Sequence, residues 1–163
     1  MALFGRDRDI SLFRHMSREL LADIITQQIG YYKYDLGKTV TNMYGEAADG
    51  RYYIGPVLLN CLIEREDPNF VDTDFGPDYN RVVKFRFLRD DLVDANVVPE
   101  LGDVIMYNEG YYEVDESVEN QLFVGKDPSY SYSPGLNQFG SSVSIILTTH
   151  YLPADRLNIT KER

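Results

Sequence analysis

The residues able to do chemistry in this chain are mostly carboxylates. Asp72-Thr73-Asp74-Phe75-Gly76-Pro77-Asp78-Tyr79-Asn80 sets alternating acids beside a glycine, much as a calcium loop places its oxygen ligands. The register is wrong for that purpose: Gly76 comes too early, Pro77 stiffens the turn, and no glutamate closes the site. A solvated acidic loop is the better reading. Glu64, Glu66, Asp90, Asp91 and Asp94 add carboxylates, but neighbours along a charged stretch are a weak basis for an acid–base pair, and a solvated face is expected. The only cysteine, Cys61, lies in the apolar run Val57-Leu58-Leu59-Asn60-Cys61-Leu62-Ile63, which lacks the cationic surroundings of a reactive thiolate, so a buried thiol is expected. His15 and His150 fall in different predicted elements with no convergent partners, which predicts structural roles. No nucleophile elbow, phosphate-binding glycine loop or zinc spacing occurs. The chain is read as non-enzymatic, with no catalytic residue, metal or cofactor. A hydrolase using Asp72, Asp74 or Asp78, or a sugar- or calcium-binding module, are the competing classes.

One helix and a series of short strands must position these groups. Residues 1–9 read as a loosely held arm. From Ile10 to Gln28 the pattern is helical: Phe13, Met16, Leu20 and Ile24 recur at spacings of three and four, with Leu21 and Ile25 widening the stripe. Asp9 or Ser11 can cap its start and Gly30 can end it. Arg14, Arg18, Glu19 and Gln27 occupy the other face. The stripe is expected to pack on the core; docking into a ring of partner subunits is the sharper reading, and both can hold.

The texture then turns to β. Tyr31 to Tyr34 begins a strand, Val40 to Tyr44 is a short strand or irregular, and Tyr52 to Glu66 is rich in strand-forming residues. Asp67 to Asn80 is rich in turn residues. Arg81 to Leu88 alternates, placing Val83, Phe85 and Phe87 on one side. Asp90 to Val97 suits a short helical turn. Gly102 to Tyr107, Asn108-Glu109-Gly110 and Tyr111 to Val114 read as strand, hairpin loop and strand. Glu119 to Val124 and Ser142 to Leu152 are further strands, separated by a long loop from Asp127 to Ser141. This predicts a mainly β chain with an N-terminal helix (α+β), folded as a small antiparallel β-barrel or sandwich with long loops. A single domain spans 1–163: arm 1–9, helix 10–28, β-rich core 29–155 with loops 67–80 and 127–141, and tail 156–163.

At 163 residues the chain can bury a core without disulfide or metal. Its 26 acidic against 16 basic residues give a formal charge of -10, which opposes a grip on phosphate backbones but suits a wall past which DNA slides. Arg81 to Arg89 mixes bases with aromatics, yet alternation puts them on opposite faces, against a nucleic-acid stacking platform. Thirteen tyrosines and no tryptophan fit strands and, where exposed, subunit interfaces. The first thirty residues carry Arg6, Arg8, Arg14 and Arg18 and do not read as a signal peptide, no stretch is apolar for long enough to span a membrane, and synthesis in a reducing cytoplasm is expected.

Three passages together resemble the neck (head-to-tail joining, head-closure) proteins of contractile-tailed, myovirus-type bacteriophages. The first is Leu20-Leu21-Ala22-Asp23-Ile24-Ile25 followed by Tyr31 to Tyr34. The second is Met43-Tyr44-Gly45-Glu46, then Tyr52-Tyr53-Ile54-Gly55-Pro56-Val57. The third is Pro99-Glu100-Leu101-Gly102-Asp103-Val104-Ile105-Met106-Tyr107, then Tyr112-Glu113-Val114 and Phe123-Val124-Gly125. The resemblance implies a structural virion protein that forms a ring of six or twelve copies in the neck and is assembled in the host cytoplasm. Such a ring joins the portal or adaptor above to the tail terminator or tail below, helps close the DNA-filled head, and lets DNA pass without sequence-specific binding or any membrane. A tail-terminator or tail-completion role is the near alternative. Expected contact residues are Arg14 and Arg18 on the helix, Phe70, Phe75 and Tyr79 in loop 67–80, and Tyr130, Tyr132, Leu136 and Phe139 in loop 127–141.

Overall fold

The computed structural model describes residues 7–40, 42, 43, 47, 50–65, 69–73, 76–121, 143–154, 157 and 159; for 7–10, 69–73, 76–80, 120 and 121 only the backbone is considered. Helix α1 (Asp7–Glu19) starts within the predicted arm and runs on into a π-helical turn, Leu20–Ile25. The Thr26 amide donates to the Leu21 carbonyl five residues back, at 3.0 Å, and Thr26 turns left-handed at φ 50, which ends the helix. Among the described residues nine strands follow: β1 (Gln28–Tyr34), β2 (Tyr53–Asn60), β3 (Leu62–Arg65), β4 (Asn69–Thr73), β5 (Gly76–Asn80), β6 (Val82–Leu88), β7 (Val104–Tyr107), β8 (Gly110–Gln121) and β9 (Ser144–Leu152). The short helix α2 (Arg89–Asp94) lies between β6 and β7.

Seven strands form one antiparallel sheet in the order β2-β1-β7-β8-β9-β6-β3. Its outer strands, β2 and β3, are consecutive in the chain with only Cys61 between them. Two residues of extended chain span at most about 7 Å, so the sheet must curl until its edges nearly meet. Contacts across the curl agree. Phe85 of β6 meets Tyr107 of β7 and Tyr112 of β8 edge-on, each at 6.0 Å between ring centroids. The Arg65 guanidinium of β3 sits 4.9 Å from the Tyr107 ring and donates to its hydroxyl. The expected barrel or sandwich is thus one curled sheet whose ladder does not close.

Inside the curl, Ile29, Tyr31, Leu59, Val83, Phe85, Phe87, Ile105, Val114 and Leu147 form the main core, with Leu92 of α2 inserted among them. Period-two alternation produces this directly: Val83, Phe85 and Phe87 are buried while Arg86 is exposed. A smaller outer cluster joins Tyr32, Val104, Tyr111 and Leu152 to Leu157, from the predicted tail, which forms a parallel bridge with Arg51.

Several expectations change. The turn-rich stretch 67–80 holds a β4–β5 hairpin with Phe70 opposite Tyr79, because Asn69–Thr73 carries enough aromatic and β-branched character to pair locally. Tyr52 to Glu66 divides at Cys61. The predicted strand 111–114 and the described part of the predicted strand 119–124 belong to one strand, β8, which has register shifts at Val114/Glu116 and Val118/Gln121; residues 122–124 lie outside the described residues. Among the tyrosines with described side chains, Tyr31, Tyr32, Tyr111 and Tyr112 are buried, with rings such as Tyr32–Tyr111 packed edge-on at 6.2 Å, while Tyr52 and Tyr151 are exposed.

Candidate functional site

The Gly102-Asp103 turn is the most tightly built polar feature. Gly102 has φ 86, a left-handed conformation that a side chain makes costly. Its amide donates to the Val114 carbonyl at 3.0 Å, and the Val114 amide donates to the Asp103 carbonyl at 2.9 Å. The Asp103 side chain is thereby turned inward and is fully buried. It accepts from the Tyr31 hydroxyl, from Lys33 Nζ at 3.1 Å, from the Glu100 amide at 2.8 Å and from the Tyr34 amide at 2.9 Å. Lys33 Nζ also reaches Glu100 Oε2 at 2.9 Å and the Val98 carbonyl at 2.8 Å. Burial, with the Asp103 hydrogen bond second, raises the Tyr31 hydroxyl above its ordinary value of 10.0, so it stays a donor. A buried charge persists only when it is hydrogen-bonded in this way. The cluster locks β1 to the turn before β7. Asp103 is enclosed and has no open face toward a substrate, so the cluster is a structural latch.

The second feature is α1, which is turned the opposite way from expectation. Leu12, Met16, Leu20 and Ile24 are 56, 56, 46 and 75% exposed, and Phe13 is exposed beside them. In the helical segment with described side chains, Leu21 alone is buried. The polar face does the anchoring. Arg14 Nε lies 3.7 Å from Asp90 of α2, and Arg18 Nε lies 2.9 Å from Asp91, while its terminal nitrogen bonds Asp94. The Asp94 hydrogen bond leads in raising the Arg18 pKa. Asp91 lies above the usual carboxylate range because burial outweighs the attraction of Arg18. The α2 acids, expected to form a solvated face, therefore hold the helix. One helix face cannot be wedged into the core by apolar packing and also be held by arginines on the opposite side; the ion pairs leave the apolar stripe outward.

Arg14 and Arg18 are thus internal anchors in this chain. Phe70 and Tyr79 are register partners in β4–β5. Phe75, Tyr130, Tyr132, Leu136 and Phe139, with loop 127–141, lie outside the described residues. Of the acids in the calcium-like stretch, Asp72 and Asp78 fall in the hairpin strands, and Asp74 lies outside the described residues. Among the described residues no group of three or more His, Cys, Asp or Glu side chains is placed to hold a metal ion, and no helix is long and apolar enough to cross a membrane. The histidines are far apart in their pairings: His15 Nε2 lies 3.3 Å from Glu19, and His150 Nδ1 lies 2.8 Å from Asp115. Cys61 is buried, and burial pushes its thiol up to about 12. The sequence signal for the outward helix was available in the two arginines, which face an acidic α2, but pairing elements that far apart required the tertiary structure. Compared with known protein families and with curated proteins, the chain matches none.

Proposed function

We propose that this chain is a structural subunit of the neck of a contractile-tailed bacteriophage. It forms a ring that joins the portal of the DNA-filled head to the tail and helps to close the head. The observation that carries this reading is the ion-paired helix α1, which presents its apolar stripe away from its own core. A soluble monomer gains nothing from a fixed apolar ridge in water, whereas an assembly subunit uses one as a contact. The sequence passage most similar to neck proteins, around Gly102-Asp103, is also the latch that organises the sheet. The charge of -10 suits a channel past which DNA moves without adhering. On this reading the partners are further copies of the chain, a portal or adaptor ring above and a tail terminator or tail protein below, and the subunit resides in the virion neck.

The test is the mass of the purified chain, alone and mixed with portal and tail-terminator proteins, by light scattering and electron microscopy. Rings of six or twelve that add to a portal ring are expected. Rings that add to the tail alone transfer the reading to a tail terminator. A monomer that binds neither partner overturns it.

A further inference from the structure

We infer that α1 is a hinged arm held shut by charge: its two arginines clamp it to α2, and it swings away from the body about the Leu20–Thr26 turn when those ion pairs are screened. The device belongs to the single chain and operates whatever the apolar stripe meets.

The face that α1 turns to the body follows from the sequence. Arg14, Ser17, Arg18 and Leu21 recur at spacings of three and four, which gathers them on one side of a helix. Arg14 and Ser17 are half-buried, and between Ser11 and Ile25 Leu21 is the only fully buried side chain. Leu21 sits at the pivot end, so the length of α1 before it is held chiefly through Arg14 to Asp90 and Arg18 to Asp91 and Asp94. Ion pairs as open as these are individually weak, because water and salt compete for both partners. A helix of 13 residues is also marginal by itself in water, so α1 depends on the clamp to stay formed.

The hinge is equally local. Leu20–Ile25 is a π-helical turn, and Thr26 after it has φ 50, a conformation that a β-branched residue adopts at a cost. The next residue is already fastened: the Gln27 carbonyl accepts from the Cys61 amide at 3.1 Å, and Gln28 pairs with Asn60 in the sheet. The sheet thus holds the chain from Gln27 onward, ion pairs hold α1, and the turn between them takes the rotation.

A clamp of charge has a signature that apolar packing lacks. The screening length falls from about 10 Å at 0.1 M salt to about 3 Å at 1 M, where it matches the separations of the charged groups. Concentrated salt should therefore open α1 and leave the apolar core of the sheet closed.

The experiment uses the full chain, diluted until sedimentation shows single chains. Amide hydrogen exchange is followed by mass spectrometry in about 0.05 M and about 1 M sodium chloride, with a peptide of residues 7–26 as the unprotected reference. Protection across 11–20 should fall about tenfold in the higher salt, while β6, β8 and β9 keep theirs. Arg14→Ala with Arg18→Ala should show the high-salt exchange already at low salt. Arg18→Glu should open the arm, and adding Asp91→Lys and Asp94→Lys should restore protection at low salt and lose it again at high salt, a rescue that a merely packed arginine would not give. Circular dichroism and thermal unfolding establish that the sheet of each variant is folded; where the swapped chain does not fold, the double alanine variant decides. Protection across 11–20 that ignores salt, or that disappears only together with that of the sheet, overturns the hinged arm. So does a folded charge-swapped chain whose α1 stays unprotected at low salt.

Discussion

Asp103→Asn tests whether the buried latch holds the fold. The carboxylate takes four donors: Oδ1 accepts from the Tyr34 amide, and Oδ2 from the Tyr31 hydroxyl, Lys33 and the Glu100 amide. An amide side chain offers one oxygen. If that oxygen stays where Oδ2 was, the new NH2 group faces the Tyr34 amide, and two donors confront each other. A buried donor left without an acceptor costs about 1–3 kcal/mol, and loss of the charge weakens the Lys33 contact further, so about 3 kcal/mol in all is expected. Alanine strands all four donors and can consume most of a total stability of roughly 5–15 kcal/mol, which is why asparagine is the cleaner change. With an m-value of about 2 kcal/mol/M in urea, the unfolding midpoint should fall by about 1.5 M with its slope unchanged. The melting temperature should fall by roughly 6–12 °C. Tyr31→Phe alone should cost about 1.5 kcal/mol, and the double variant should fall short of the sum by at least about 0.5 kcal/mol, since both changes strike one hydrogen bond. A midpoint shift below about 0.3 M, or strict additivity, refutes the latch.

Gly55→Ala should destabilise by at least about 2 kcal/mol, because a Cβ there lies 2.8 Å from the Tyr31 carbonyl oxygen at φ 141, while Gly30→Ala, with its nearest atom at 3.4 Å, should cost less than half as much by urea titration. Cys61 should resist iodoacetamide at neutral pH in the folded chain and react fully once urea unfolds it, since burial keeps the thiol protonated up to about 12. Stability should decline as pH rises past 9.0: Cys61 and Tyr31 both titrate higher in the folded chain than their ordinary 9.0 and 10.0, so the unfolded chain releases those protons first. By about pH 10.5, Cys61 alone should lower stability by about 2 kcal/mol, and Cys61→Ala should flatten that part of the profile. Arg18→Ala should change global stability by about 1 kcal/mol or less, because Arg18 itself and its Asp94 partner are largely exposed to solvent, yet should accelerate amide hydrogen exchange selectively across α1.

Much of the architecture was legible from local pattern. The alternation from Val82 to Leu88 is a short-range property of a half-buried strand, and Val83, Phe85 and Phe87 are buried as it requires. The Asn108-Glu109-Gly110 link joins β7 and β8 as a hairpin as expected, but the positive φ values fall at Asn108 and Glu109 and not at Gly110, which begins β8. Loop assignments were weaker: Asn69–Thr73 and Gly76–Asn80 pair with each other despite Pro77, since local pairing tolerates a proline at a hairpin edge. The helix was found by its period, but its orientation was not. A stripe of Phe13, Met16, Leu20 and Ile24 says which face is apolar, and says nothing about whether that face meets the core or the solvent.

By itself, then, the amino-acid sequence determined an N-terminal amphipathic helix, a mainly β body, a buried unreactive cysteine and an acidic surface, because periodicity, side-chain type and net charge act over a few residues or over the whole chain. Tertiary structure alone decided that consecutive strands β2 and β3 lie at opposite edges of a curled sheet, that Asp103 gathers donors from Tyr31, Lys33 and Tyr34 some seventy positions earlier (|i−j| of 72, 70 and 69), and that Arg14 and Arg18 dock on α2 so that the apolar stripe faces outward. Those outcomes depend on which distant donors, acceptors and charges the folded backbone brings within about 3 Å of one another, where hydrogen bonds and ion pairs act, and no spacing along the chain encodes that proximity.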